Sequence, residues 1–146
     1  MPDVVGELPR EAGAYVLLIR LATQLDLDIS AFSGKSLLPG LYAYCGSAYG
    51  PGGIRARVSR HLRNDKPMRW HVDRLTAAGR VEQVGIRIGG RECDLVGELL
   101  TRGSLAELPG FGSSDCRTCP AHLLSLPDGK NLPEEIFDLV ISCDWE

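Results

Sequence analysis

Leu41-Tyr-Ala-Tyr-Cys-Gly46-Ser-Ala-Tyr-Gly50-Pro-Gly-Gly-Ile54-Arg-Ala-Arg57-Val-Ser-Arg-His61 changes its periodicity halfway along. Its first part alternates and puts Tyr42 and Tyr44 on one side of an extended chain. In its last part Ile54 and Val58, continued by Leu62, stand four residues apart, the apolar stripe of a helix over 54–63. Gly46, Gly50, Gly52 and Gly53, with Pro51, predict the loop between them. On the helix, Arg57 and His61 lie one turn apart on a neighbouring face. A glycine loop that opens a helix invites a phosphate-binding reading. Neither G-x-x-x-x-G-K-[ST] nor G-x-G-x-x-G occurs here, so a nucleotide loop is disfavoured.

Outward from this unit, residues 13–21 (GAYVLLIRL) are rich in β-formers and predict a mostly buried strand. Residues 25–29 alternate apolar and acidic side chains, as in a half-exposed strand that could pair with 13–21 as a hairpin. Pro67 breaks the chain, and 68–78 predict a second helix ended by Gly79. A strand over 81–88, a Gly89-Gly90 turn and a helix over 91–102 follow. Beyond Pro109 the chain is expected to be irregular until a short strand within 136–141. Interleaved strands and helices give an α/β or α+β class with one small sheet.

The chain has 146 residues, enough for one domain, and no apolar run approaching the ~20 residues that cross a bilayer. No membrane partner is expected. Its first nine residues are acidic and broken by prolines, unlike a secretory leader, so a cytoplasmic location is expected. Five cysteines, an odd number, then suit thiols or ligands better than a disulfide framework. The formal charge of -3 argues against wholesale binding of a polyanion. That average hides a split. Residues 54–74 carry seven cations against Asp65 and Asp73, whereas 127–146 carry six carboxylates against Lys130. A basic centre of this kind can mark an anionic ligand.

A tyrosine hydroxyl, an arginine and a carboxylate can divide phosphodiester hydrolysis among them. The phenol relays a proton from the attacking water, the guanidinium stabilises charge on the phosphate, and the carboxylate holds a divalent metal. At these residues the chain resembles the GIY-YIG endonucleases, in particular their small stand-alone Uri-type branch. The first motif stands as Gly13-Ala14-Tyr15, the second as Tyr44-Cys45-Gly46, and the helix as residues 54–61. Further resemblance lies in Gly46-Ser-Ala-Tyr-Gly-Pro-Gly-Gly53, Arg69-Trp-His-Val-Asp73, Glu92-Cys-Asp-Leu95 and residues 110–122. The resemblance implies a small central, mostly antiparallel sheet flanked by helices, in one domain over 1–146 with its core at about 13–124 and an acidic tail at 127–146. It also implies a metal-dependent endonuclease acting on nucleic acid, DNA being the expected substrate, in repair or processing.

Carried over residue by residue, the resemblance makes Tyr44 the general base, with Tyr15 beside it to orient water and phosphate. Arg57 would stabilise the scissile phosphate, and His61 would assist proton transfer or touch the phosphate. Glu92 would bind a single Mg²⁺ or Mn²⁺, a lone carboxylate suiting an ion that keeps its waters. Glu98 is the competing choice.

The usual isoleucine is Ala14 in the first motif and Cys45 in the second, and Ser47 stands where many relatives have lysine. The long gap from Tyr15 to Tyr44 is read as an extra strand or hairpin. Gly40-Leu41-Tyr42 is an alternative first motif, ranked second. Tyr42 is expected to be a core packer. Arg55, Arg60 and Arg63 are expected to be solvated or unspecific phosphate contacts, and His71 a half-buried neighbour of Trp70. Cys116-x-x-Cys119-x-x-His122 has the spacing of zinc ligands but lacks an evident fourth. Cys93, His71 or Cys143 could complete it only through the fold, so a buried loop with free thiols is preferred. Two other classes remain beside the enzyme: a non-catalytic nucleic-acid-binding accessory, and a zinc-structured interaction domain.

Overall fold

The run GAYVLLIRL forms β1 (Gly13–Leu21), buried at every position except Arg20. A strand without polar alternation has to be covered on both faces, and here it is. The computed structural model describes residues 4–111, 119–127 and 130–144. β1 is the middle strand of a five-stranded antiparallel sheet. On one side of it lie β4 (Gly40–Ala48) and β6 (Leu123–Leu126), and on the other β5 (Arg80–Ile88) and β7 (Leu139–Ser142). A separate two-stranded hairpin joins β2 (Leu25–Asp26) to β3 (Ser36–Leu37). Three α-helices complete this α+β architecture among the described residues: α1 (Gly53–Leu62), α2 (Asp73–Ala78) and α3 (Glu92–Thr101).

Alternation along the strands separates two cores. Leu17, Ile19 and Tyr42 meet Ile54, Val58, Leu62 and Leu75 of α1 and α2 on one face. Val16, Leu18, Ala43 and Cys45 meet Leu95, Val96 and Leu99 of α3 on the other. Each fully buried Leu, Ile or Val contributes about 1.5–3 kcal/mol relative to exposure, so both helical layers are pinned to the sheet. No helix among the described residues is long and apolar enough to cross a membrane.

Four elements differ from the sequence-based expectation. Residues 25–29 do not pair with β1, because β4 and β5 already occupy both of its edges. The inserted segment instead closes on itself as the β2–β3 hairpin, the extra hairpin expected between the motifs. β4 runs on through Gly46 to Ala48, since its ladder with β1 continues to Gly13. α2 starts only at Asp73, whose carboxylate takes the amides of Arg69 and Trp70 at 2.8 Å and turns the preceding chain into a bend. β6 lies in the stretch expected to be irregular and is held by its ladder to β4.

Candidate functional site

β4 sends Tyr44 to the α1 face and its neighbour Cys45 to the α3 face. The β1–β4 register pairs Leu17 with Tyr44 and Tyr15 with Gly46, which makes the two tyrosines diagonal neighbours. Their ring centroids are 6.5 Å apart. A Cβ on Gly46 would stand 2.5 Å from Cζ and Oη of Tyr15, so the missing side chain is what admits that ring. α1 then lays His61 over both tyrosines, at 5.4 Å from the Tyr15 ring and 5.8 Å from the Tyr44 ring. Tyr15 Oη and His61 Nε2 share a hydrogen bond of 2.6 Å.

Burial tunes these groups. Tyr15 and His61 are each 1% exposed, whereas Tyr44 and Arg57 are half-buried. Burial pulls His61 down to about 3; Asp73 opposes this, and the charges of Arg60, Arg57 and Lys66 reinforce it. The imidazole is therefore neutral at physiological pH. Burial also pushes Tyr44 up to about 12, against the pull of the Arg57 charge. Tyr15 is raised by the same desolvation and by Tyr44, with Arg57 again opposing. Tyr15 was expected to orient water and phosphate, yet it is enclosed and its hydroxyl is engaged by His61. It is placed to hold the imidazole.

Arg57 borders a groove of about 120 Å³ that is also lined by Ala48, Gly50, Pro51, Ala56 and Arg60. The start of α1 does not serve as an anion cradle there. Its Ile54 and Arg55 amides bond to the carbonyls of Glu11 and Pro9. Gly53, at φ +60°, is packed so tightly that a Cβ would lie 2.1 Å from the Arg10 carbonyl oxygen.

Two residues without an assigned role shape this face. The Trp70 ring lies 5.6 Å from that of His61 and carries the guanidinium of Arg57 at 4.7 Å and that of Arg60 at 4.0 Å. Asp73, fully buried, takes both Arg60 terminal nitrogens at 3.0 and 3.1 Å. Burial alone would raise Asp73, but the Arg60 hydrogen bond and the Trp70 and Arg69 amides outweigh it and hold the carboxyl below its ordinary range. Arg60 is thus a structural cation, contrary to the expectation of a solvated one. Arg55 also departs from that expectation, donating to the Leu8 and Gly6 carbonyls. Arg63 stays exposed beside Asp65. The sequence does contain a signal for this pair, the segment Arg69-Trp-His-Val-Asp73, but nothing in its spacing shows that the carboxylate turns back to α1.

Glu92 opens α3 and is half-buried. Its charge adds to the rise of both the Tyr44 phenol and the Cys45 thiol. Glu98 pairs with Arg87, which also donates to the Ile136 carbonyl. Of the two candidate metal carboxylates, Glu98 is committed to Arg87. Tyr42 is a core residue whose hydroxyl donates to the Leu38 carbonyl at 2.7 Å. His71 packs against Phe32 and Phe111. Cys116 lies outside the described residues. Cys119 and His122 converge with Cys93, not with His71 or Cys143.

Over residues 14–144 the chain matches the family described as Domain of unknown function DUF123. No curated protein and no solved structure matches it. The chain belongs to the DUF123 family.

Proposed function

We propose that this DUF123-family protein is a metal-dependent endonuclease of the GIY-YIG kind, acting in the cytoplasm on nucleic acid, with DNA as the expected substrate. The observation that carries the reading is the packed Tyr15–Tyr44–His61 cluster with Arg57 at its groove. A core serving packing alone has little use for a neutral histidine bonded to a tyrosine beneath an arginine. Among the cations of residues 54–74, Arg57 borders the groove, where it can meet an anionic substrate.

The residues suit a hard cation. Asp73 is engaged by Arg60 and Glu98 by Arg87, and Glu92 is the carboxylate proposed as one oxygen ligand, to be completed by water and phosphate oxygens. Mg²⁺ or Mn²⁺, when bound, supplies charge stabilisation at the phosphate. Tyr44 takes the proton of the attacking water. Because burial keeps its own proton on at neutral pH, activity should climb as pH rises toward the tyrosine range. Arg57, without a carboxylate partner among the described residues, stabilises the phosphorane-like charge. His61, fixed by Tyr15 and Trp70, orders the tyrosine pair.

Incubating the purified chain with nicked, flapped and single-stranded DNA and Mg²⁺ or Mn²⁺ tests the proposal. Metal-dependent cleavage, abolished by Glu92→Gln, is expected. If every substrate stays intact while DNA is still bound, the protein is a binding accessory and the enzyme reading fails.

A further inference from the structure

On the α3 side of the sheet a second group of side chains has no part in the proposed hydrolysis. Cys93 stands in the first turn of α3, and Cys119 and His122 lie just before β6. Two sulfurs and one imidazole nitrogen from these residues fall within 4.8 Å of one another. Cys93 Sγ is 4.0 Å from His122 Nε2. The fold has to bring a helix start and a strand entry together to achieve this.

The backbone around the group is fixed. The His122 amide donates to the Phe111 carbonyl at 2.9 Å, and its carbonyl accepts from the Cys45 amide at 2.8 Å. The His122 side chain is buried, and both cysteines are half-buried. β4 thus positions the imidazole through Cys45, while α3 positions the Cys93 sulfur. Burial raises the Cys45 thiol, and Cys119, Glu92 and Cys93 add to the effect. Cys45 itself is fully buried in the sheet core.

We propose that Cys93, Cys119 and His122 form a zinc site that clasps the first turn of α3 to the strand entry at β6. Two thiolates and an imidazole are soft and borderline donors that select Zn²⁺ over Mg²⁺. With Zn–S near 2.3 Å and Zn–N near 2.0–2.1 Å, a tetrahedral ion sets its donors roughly 3.5–3.8 Å apart. Closing the observed group onto an ion takes about 1 Å of side-chain movement. A disulfide between the cysteines would leave the buried imidazole unused, whereas a metal uses all three groups. The site has different donors from Glu92, lies on the other side of β4 from Arg57, and does not depend on the proposed hydrolysis.

The test is elemental analysis of the full chain, purified under reducing conditions from zinc-supplemented medium, together with Co²⁺ titration of the metal-stripped protein. One zinc per chain is expected, with a thiolate-to-cobalt charge-transfer band and tetrahedral d–d absorption. Cys93→Ser and His122→Ala should each lower zinc affinity by at least tenfold, and stripping the metal should lower the Tm reversibly. Should either variant fail to fold, the cobalt spectrum of the unmutated chain decides the matter. Zinc-free protein with no cobalt–thiolate band, a Cys93–Cys119 disulfide as the native state, or variants that keep full zinc affinity would each overturn the site.

Discussion

Tyr44 and Cys45 are adjacent in β4, yet they open onto different chemistry. On the Tyr44 side, phenols, a neutral imidazole and arginines gather between the sheet and α1. On the Cys45 side, sulfur and a second histidine gather between the sheet and α3. Strand alternation alone produces this division. The first side offers guanidinium groups, the second thiols and an imidazole.

The two sides can be separated by mutation. The largest stability effect is expected on the α1 side, at Asp73. Removing its carboxylate strands the Arg60 cation and two amides, and Asp73→Ala should cost about 3–5 kcal/mol in denaturant unfolding. A cost below ~1 kcal/mol would mean that the pair contributes little. Next comes acid. His61 is depressed to about 3 when folded against an ordinary value of 6.5, so the unfolded chain binds its proton first as pH falls. Its stabilising contribution is present above pH 6.5 and is lost as the pH falls from 6.5 toward 3. His61→Gln should flatten the fall of Tm across that window; an unchanged slope would place the acid sensitivity elsewhere. The smallest effect is expected at Gly46. Gly46→Ala should cost about 1–3 kcal/mol by displacing the Tyr15 ring, with cleavage falling as the hold on His61 loosens. Zinc content should be untouched by all three.

Local patterns made much of the fold legible. The unbroken apolar run gave β1, the 54–62 stripe gave α1, and Gly79 marked the end of α2. Tyr15, Tyr44, Arg57 and His61 were readable as one group because their order along the chain resembles a known family, and the fold does bring them together. What stayed hidden depends on contacts distant in sequence. Arg60 looks like any surface cation until Asp73 is seen thirteen residues later with its carboxylate turned onto it. Cys93, His71 and Cys143 were equal candidates to join Cys119 and His122, and only the packing of α3 across β4 selects Cys93. β6 has no sequence signal of its own beyond four residues, and only the free edge of β4 selects it.

Whether Tyr44 and Arg57 act at one phosphodiester-cleaving site is decided by single-turnover cleavage of DNA at saturating enzyme and Mg²⁺. Tyr44→Phe and Arg57→Ala should each slow cleavage by about 10²–10³-fold, with Tm and zinc content at their unmutated values. Cleavage at the unmutated rate in both variants would rule out a shared site and return the tyrosine cluster to the core.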